Sequence, residues 1–194
     1  MFDAERQLLE IIEDRAFQRG TFRLASGAES SYYIDGKMIE VFSRAAHLIG
    51  EVIYDRTKQL DIDAIGGLEV GAVPLTTAAV ISYHLNGREM EGFWVRDTAK
   101  NHGTKKLVEG KIKAGDRVVI VDDVITKGGS ALKAIQGVEA MGCTVVLVLA
   151  LVDRLQGGAE LFRAHGVTRY ESIFTVRDLG VDVDVPAESA AATR

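Results

Sequence analysis

The sequence predicts an α/β protein with a central parallel sheet flanked by helices, and three observations carry that prediction. From about residue 63 onward, short apolar runs alternate with segments of helical length, the pattern of βα units whose strands lie parallel. Two runs, RVVIVDD (117–123) and TVVLVLALVD (144–153), are almost continuously apolar, as strands are when helices cover both faces. Glycines cluster after two of the strands, at 66–71 and 128–129, where the chain turns out of the sheet toward a helix.

The elements follow in order. Leu8, Leu9, Ile11 and Ile12 recur at helical spacing and predict a helix over 3–15. FRLASG (22–27) and SYYIDGK (31–37) are short, alternating and aromatic, and read as two strands around a Gly-Ala turn. Ala45, Leu48, Ile49, Val52 and Ile53 mark a helix over about 43–58. Then come a strand at 63–67, a helix at 74–85 with Pro74 in its first turn, and a strand at 91–96. After the strand at 117–123, a helix over 130–142 closes at Gly142. The strand at 144–153, a helix at 158–166 and a strand at 170–176 complete the pattern. Residues 1–185 form one domain in this reading, and 186–194 a disordered tail. Residues 97–110 are polar and aperiodic, and a loop of that length is usually functional or disordered.

Composition narrows the function. The 194 residues are 47% hydrophobic and carry a net charge of −5, which argues against a nucleic-acid or membrane-surface binder. Cys143 is the only cysteine, so no intrachain disulfide forms and a reducing compartment fits. His47, His84, His102 and His165 lack zinc-ligand spacing. The opening residues are charged and amphipathic, unlike a signal peptide, and no apolar run reaches the roughly 20 residues of a membrane span. A cytoplasmic location is the expectation.

The strongest signal is the run from Val118 to Ser130, VVIVDDVITKGGS. An apolar strand ends in two carboxylates, a loop with glycines and hydroxyls follows, and a helix begins. Ligands of open parallel sheets lie at the carboxyl ends of the strands. Gly128 and Gly129 let backbone N–H groups approach a phosphate, the helix start adds its positive dipole end, and Thr126 and Ser130 add hydroxyls. Asp122 and Asp123 repel a phosphate but accept hydrogen bonds from a sugar diol, or stand near a metal. A phosphorylated sugar satisfies all parts. A generic strand–loop–helix turn with an acidic rim is the simpler alternative. The run is neither a P-loop nor a dinucleotide fingerprint.

This run resembles the motif by which type I phosphoribosyltransferases bind phosphoribosyl pyrophosphate (PRPP). The resemblance implies that Asp122, Asp123, Val124, Ile125, Thr126, Lys127, Gly128, Gly129 and Ser130 contact PRPP. Three further segments resemble the orotate branch of that family. Residues 22–27 with 31–35 are similar to a hood over the pyrimidine, here spanning mainly 15–40; a surface hairpin is the alternative. Residues 66–74, with Val70, resemble a loop facing pyrophosphate; an ordinary βα turn is the alternative. Phe93-Trp94-Val95-Arg96 and Ala99-Lys100-Asn101-His102-Gly103 resemble a mobile catalytic loop; a solvated basic loop is the alternative.

The resemblance assigns catalysis to Arg96, Lys100 and His102, which also contact PRPP, and orotate binding to Thr126, Arg154, Ala25, Tyr32 and Tyr33. Arg154 also stands just past the strand at 144–153, where a guanidinium suits orotate's carboxylate; a local ion pair is the alternative. The chain departs from the family at Ala25, Val70 and Asp97, where basic residues are frequent. More of the pyrophosphate contact then falls to Mg²⁺, Arg96, Lys100 and Lys105 or Lys106. The resemblance further implies Mg²⁺ held mainly through PRPP, near Asp122 and Asp123, with no dedicated protein site. It implies a homodimer whose loop acts across the interface. The expected reaction is transfer of the phosphoribosyl group of PRPP to orotate, giving orotidine 5′-monophosphate and pyrophosphate in pyrimidine synthesis. A purine phosphoribosyltransferase, with no use for Arg154, and a non-catalytic PRPP-sensing regulator, lacking the loop cations, are the rival readings.

Overall fold

A computed structural model of the chain describes residues 3–23, 29–97 and 107–183. Helix α1 (Asp3–Arg15) buries Leu8, Ile11 and Ile12 along the expected stripe. An antiparallel ribbon of β1 (Phe17–Arg23) and β2 (Glu29–Ile34) follows. β1 starts at Phe17 rather than at the predicted Phe22. Most of its side chains are exposed, so no apolar alternation marks it in the sequence. Helix α2 (Lys37–Glu40), absent from the predicted elements, is too short to show a period, and α3 (Ser43–Thr57) matches its predicted stripe.

The rest of the chain runs β3 (Ala64–Leu68), α4 (Ala72–Leu85), β4 (Glu91–Val95), β5 (Val108–Glu109), β6 (Arg117–Ile125), α5 (Gly129–Glu139), β7 (Thr144–Asp153), α6 (Gly158–Ala164) and β8 (Tyr170–Thr175). The strands form one sheet in the order β5-β4-β3-β6-β7-β8. All neighbours are parallel except β5, which pairs antiparallel with β4. β5 corrects the reading of 97–110 as loop: Val108 and Glu109 pair with Val95 and Trp94. Residues 98–106 lie outside the described residues, as does the predicted tail 186–194.

From β3 the chain steps outward to β4, returns to β6 on the other side of β3, and steps outward again through β7 and β8. Right-handed crossovers in opposite directions put their helices on opposite faces. Alternation along the central strands obeys this. Val119, Val121, Leu147 and Leu149 join the core beneath α1, α3 and α4, while Val118, Ile120, Val148 and Ala150 join the core beneath α5 and α6. The order reverses between β3 and β6, so a crevice opens at their carboxyl ends. β1 and β2 close over one side of it, with Tyr32 and Ile34 in the first core and Arg19 bonded to the carbonyls of Leu179 and Gly180 at 3.1 and 2.9 Å. No helix among the described residues is long and apolar enough to cross a membrane.

Candidate active site

β6 continues past the two acids. Val124 pairs with Val152 and Ile125 with Asp153, so the strand ends at Ile125 and not at Asp123 as the sequence suggested. Ile125 is buried in the core with its carbonyl accepting the Arg154 N–H, and Val124 packs against the opposite cluster. Both residues therefore belong to the strand and not to the loop predicted after Asp123.

The turn itself is Thr126-Lys127-Gly128, and α5 begins at Gly129. Gly128 has φ +81°, and a Cβ there would stand 2.8 Å from the Phe162 ring, so both backbone and space call for glycine. The N–H groups of Thr126, Lys127 and Gly128 find no acceptor among the described residues. Apart from its own helix and chain neighbours, no described residue comes within 4 Å of a Cβ built on Gly129, and Lys127, Gly129 and Ser130 are exposed. Unpaired amides at the start of an 11-residue helix make an anion site by partial charge and dipole together.

Asp123 stands where the three sequence segments meet. A Cβ on Gly36 would lie 2.5 Å from Asp123 Oδ2, and a Cβ on Gly71 would lie 2.6 Å from Oδ1. Gly36 follows the hood strand and Gly71 ends the first glycine loop, so only bare backbone admits the carboxylate from both sides. Asp122 is buried and accepts the Asp123 N–H at 3.1 Å. Burial, then the neighbouring Asp123, raises its pKa to about 8. Sequence reasoning missed a third acid, Glu40 of α2, which is 5% exposed. Burial and the adjacent Asp123 charge raise it to about 8 as well. The only hint in the sequence is a lone acid between Ile39 and Val41.

Arg154 is buried, and it meets the hood. Its Nε donates to the Tyr32 hydroxyl at 3.1 Å, its Nη2 to Ser30 Oγ at 3.3 Å, and its guanidinium lies 4.6 Å from the centre of the Tyr32 ring. It forms no ion pair among the described residues, which removes the local-ion-pair alternative. The adjacent Asp153 is already engaged, accepting the Tyr170 hydroxyl at 2.7 Å and the Leu155 N–H at 2.7 Å. Tyr32 and Arg154 are therefore brought together as expected, with Ser30 and Tyr170 as unforeseen partners. Tyr33 alternates to the other face of β2, 39% exposed and stacked on Phe22, so it does not join them.

Along the other rim, Arg96 leaves β4 and donates to Glu109 at 3.1 Å, with Glu69 at 3.7 Å. Glu69 ties the arginine to the first glycine loop. That loop is shorter than predicted, since β3 runs to Leu68 and α4 starts at Ala72. Val70 is 69% exposed, the peptide before it is cis, and its N–H and that of Gly71 find no acceptor among the described residues. Ala25, Lys100 and His102, like Lys105 and Lys106, lie outside the described residues.

The chain as a whole is similar to known proteins. Residues 37–181 match the phosphoribosyl transferase domain family. Over 181 residues the chain is 41% identical to an orotate phosphoribosyltransferase of Rhodopirellula baltica, covering 90% of this chain and 93% of that one. The crystal structure of Mycobacterium tuberculosis orotate phosphoribosyltransferase with Fe(III) dicitrate superposes with a TM-score of 0.81 at 38% identity, covering 92% and 99% of the two chains. The same enzyme in complex with PRPP gives a TM-score of 0.77 at 36% identity over 92% and 99%. The sheet, its flanking helices and the N-terminal hood are the type I phosphoribosyltransferase fold, and the chain belongs to the orotate phosphoribosyltransferase family.

Proposed function

We propose that the protein transfers the 5-phosphoribosyl group of PRPP to orotate, releasing pyrophosphate and forming orotidine 5′-monophosphate, a step of pyrimidine nucleotide synthesis. One observation carries the choice of base. Arg154 is a buried guanidinium whose partners among the described residues are the hydroxyls of Tyr32 and Ser30 and the Tyr32 ring. An uncompensated buried charge costs several kcal/mol, about 3–5 when a partner is removed, so such a group is completed by an anion. Orotate brings a carboxylate where purine bases bring none, and a guanidinium grips it with two parallel hydrogen bonds. Thr126, the first residue of the amide turn, contributes its hydroxyl to the base in this reading.

In this reading the 5-phosphate sits on the amides of Thr126 to Ser130, and the ribose hydroxyls face Asp123 and Asp122. The amides of Val70 and Gly71 face the pyrophosphate. A ring nitrogen of orotate attacks C1, the C1–O bond breaks, and its electron pair leaves with pyrophosphate. The base is already nucleophilic, so positioning and electrostatics supply the acceleration. Arg96 reaches the leaving group by exchanging Glu69 and Glu109 for phosphate oxygens, joined by Lys100 and His102 of the loop. Closure of that loop keeps water from the electron-poor C1.

Mg²⁺ suits this crevice, because the acids at the strand end and the oxygens of PRPP are hard oxygen groups. In this reading Mg²⁺ would be held mainly through PRPP, near Asp122 and Asp123. When bound, Mg²⁺ neutralises charge on the departing pyrophosphate. A homodimer belongs to the reading; the exposed Ile81 and Leu85 on the apolar helix α4 support it. A cytoplasmic setting accords with the single cysteine.

Incubation with PRPP, Mg²⁺ and a panel of bases tests the proposal. Consumption of orotate alone, with one pyrophosphate released per orotate, is expected. Consumption of adenine or hypoxanthine instead would favour the purine reading, and PRPP binding without turnover of any base would favour the regulator.

A further inference from the structure

Glu40 lies deep beside the ribose end of the site without touching it. The residue is 5% exposed, and its Oε1 is buried with no hydrogen-bond partner among the described residues. A Cβ on Gly36 would stand 2.5 Å from Asp123 Oδ2 and 3.1 Å from Glu40 Oε1, so both oxygens face the same side of Gly36, and Asp123 is the acid nearest in effect to Glu40. Both carboxyls cannot be ionised there, because like charges in a buried place repel strongly. Lys37 eases the charge on Glu40, and Asp35 adds to its crowding. As packing alone, a buried acid is a poorer choice than a leucine. A proton between the two carboxyls resolves the arrangement: Glu40 donates, and the Asp123 carboxylate accepts.

We propose that Glu40 is a positioning residue for the ribose subsite, sharing one proton with Asp123 and so bracing that carboxylate between Gly36 and Gly71 where it meets the ribose hydroxyls. The inference rests on the reading of Asp123 as a ribose-binding group. Glu40 acts through Asp123, since its own oxygen is sealed from the crevice. The fold already confines Asp123 Oδ1 and Oδ2 between two glycines, and Glu40 fixes the remaining freedom by a directed hydrogen bond.

The test compares Glu40→Gln, Glu40→Leu and, as control, Asp123→Asn. Binding of PRPP with Mg²⁺ is measured by titration calorimetry, with KM for orotate and the melting temperature recorded for each variant. Glutamine keeps a donor in place, so Glu40→Gln should bind PRPP within about twofold of the parent. Glu40→Leu should weaken PRPP roughly tenfold or more, leave KM for orotate unchanged, and melt no lower than the parent because a buried acid has gone. Unchanged PRPP affinity in Glu40→Leu overturns the inference. So does a fall in melting temperature with loss of both substrates, which marks a merely structural role. If Asp123→Asn itself binds PRPP normally, the ribose reading fails and the brace with it, a result distinct from failure of Glu40 alone.

Discussion

Arg154 holds a full charge in a buried place with two hydroxyls and a ring for company, and its consequence for the reaction is measurable. Arg154→Ala should lower kcat/KM for orotate by roughly a hundredfold, the scale of a charge-assisted pair, and leave PRPP affinity unchanged. Steady-state kinetics beside PRPP titration separates the two, and a variant that loses both equally would deny the arginine its specific role. Glu40 makes a different prediction. Its pKa rises from 4.5 to about 8 on folding, by burial first and then Asp123, with Asp35 adding and Lys37 opposing. Below about pH 4 both folded and unfolded forms hold the proton. Between there and about pH 8 only the folded form does, so this group's contribution to stability falls as pH rises through that window. Glu40→Gln removes the titration, so its gain in melting temperature over the parent should be larger at pH 8 than at pH 5. Equal gains at both would contradict the burial account. The paired acids and the glycine turn were legible because carboxylates, glycines and hydroxyls each have a job at that spacing, and Arg154 because strand ends face the crevice. Glu40 was not, since a lone acid carries no spacing and its depth comes only from the folding of α2 under the hood.

Among the elements, those with a period or two covered faces were legible, and those held by pairing were not. β7 matches its predicted bounds because helices cover both its faces. β5 was hidden because its two residues are a strand only by virtue of bonds to β4, and β1 because its outer side chains are exposed. The extension of β6 to Ile125 likewise comes from pairing with β7, and it moved Val124 and Ile125 from the predicted loop into the strand. The junction before α2 offers a test at this scale. Gly36 has φ −54°, a helical value any residue adopts, so alanine there costs nothing in backbone strain. Its Cβ would nonetheless meet Asp123 Oδ2 at 2.5 Å. Gly36→Ala should therefore stay folded, with its melting temperature within a few degrees, and bind PRPP about tenfold or more weaker by calorimetry. Parent-like affinity would show that the carboxylate moves aside at no cost.

At the scale of the molecule, the reversal of strand order between β3 and β6 gathers the hood, the first glycine loop and the amide turn around one crevice. The alternation of strands and helices made that architecture legible; the hood came only through the family resemblance, since contacts such as Arg154 to Tyr32 join residues 122 apart in sequence. If the loop serves the partner's crevice in a homodimer, Lys100→Ala and Asp123→Asn subunits should complement each other. Half the dimers in an equal mixture are mixed, each with one intact site, so about a quarter of parental activity should return after subunit exchange. No recovery would place the loop in its own subunit's site. Everything depends on where PRPP lies, and a crystal structure of the protein with PRPP and Mg²⁺ measures that directly. The account predicts the 5-phosphate on the amides of Thr126 to Ser130 and the ribose hydroxyls at Asp122 and Asp123. PRPP seated elsewhere, with that turn bare, would contradict it.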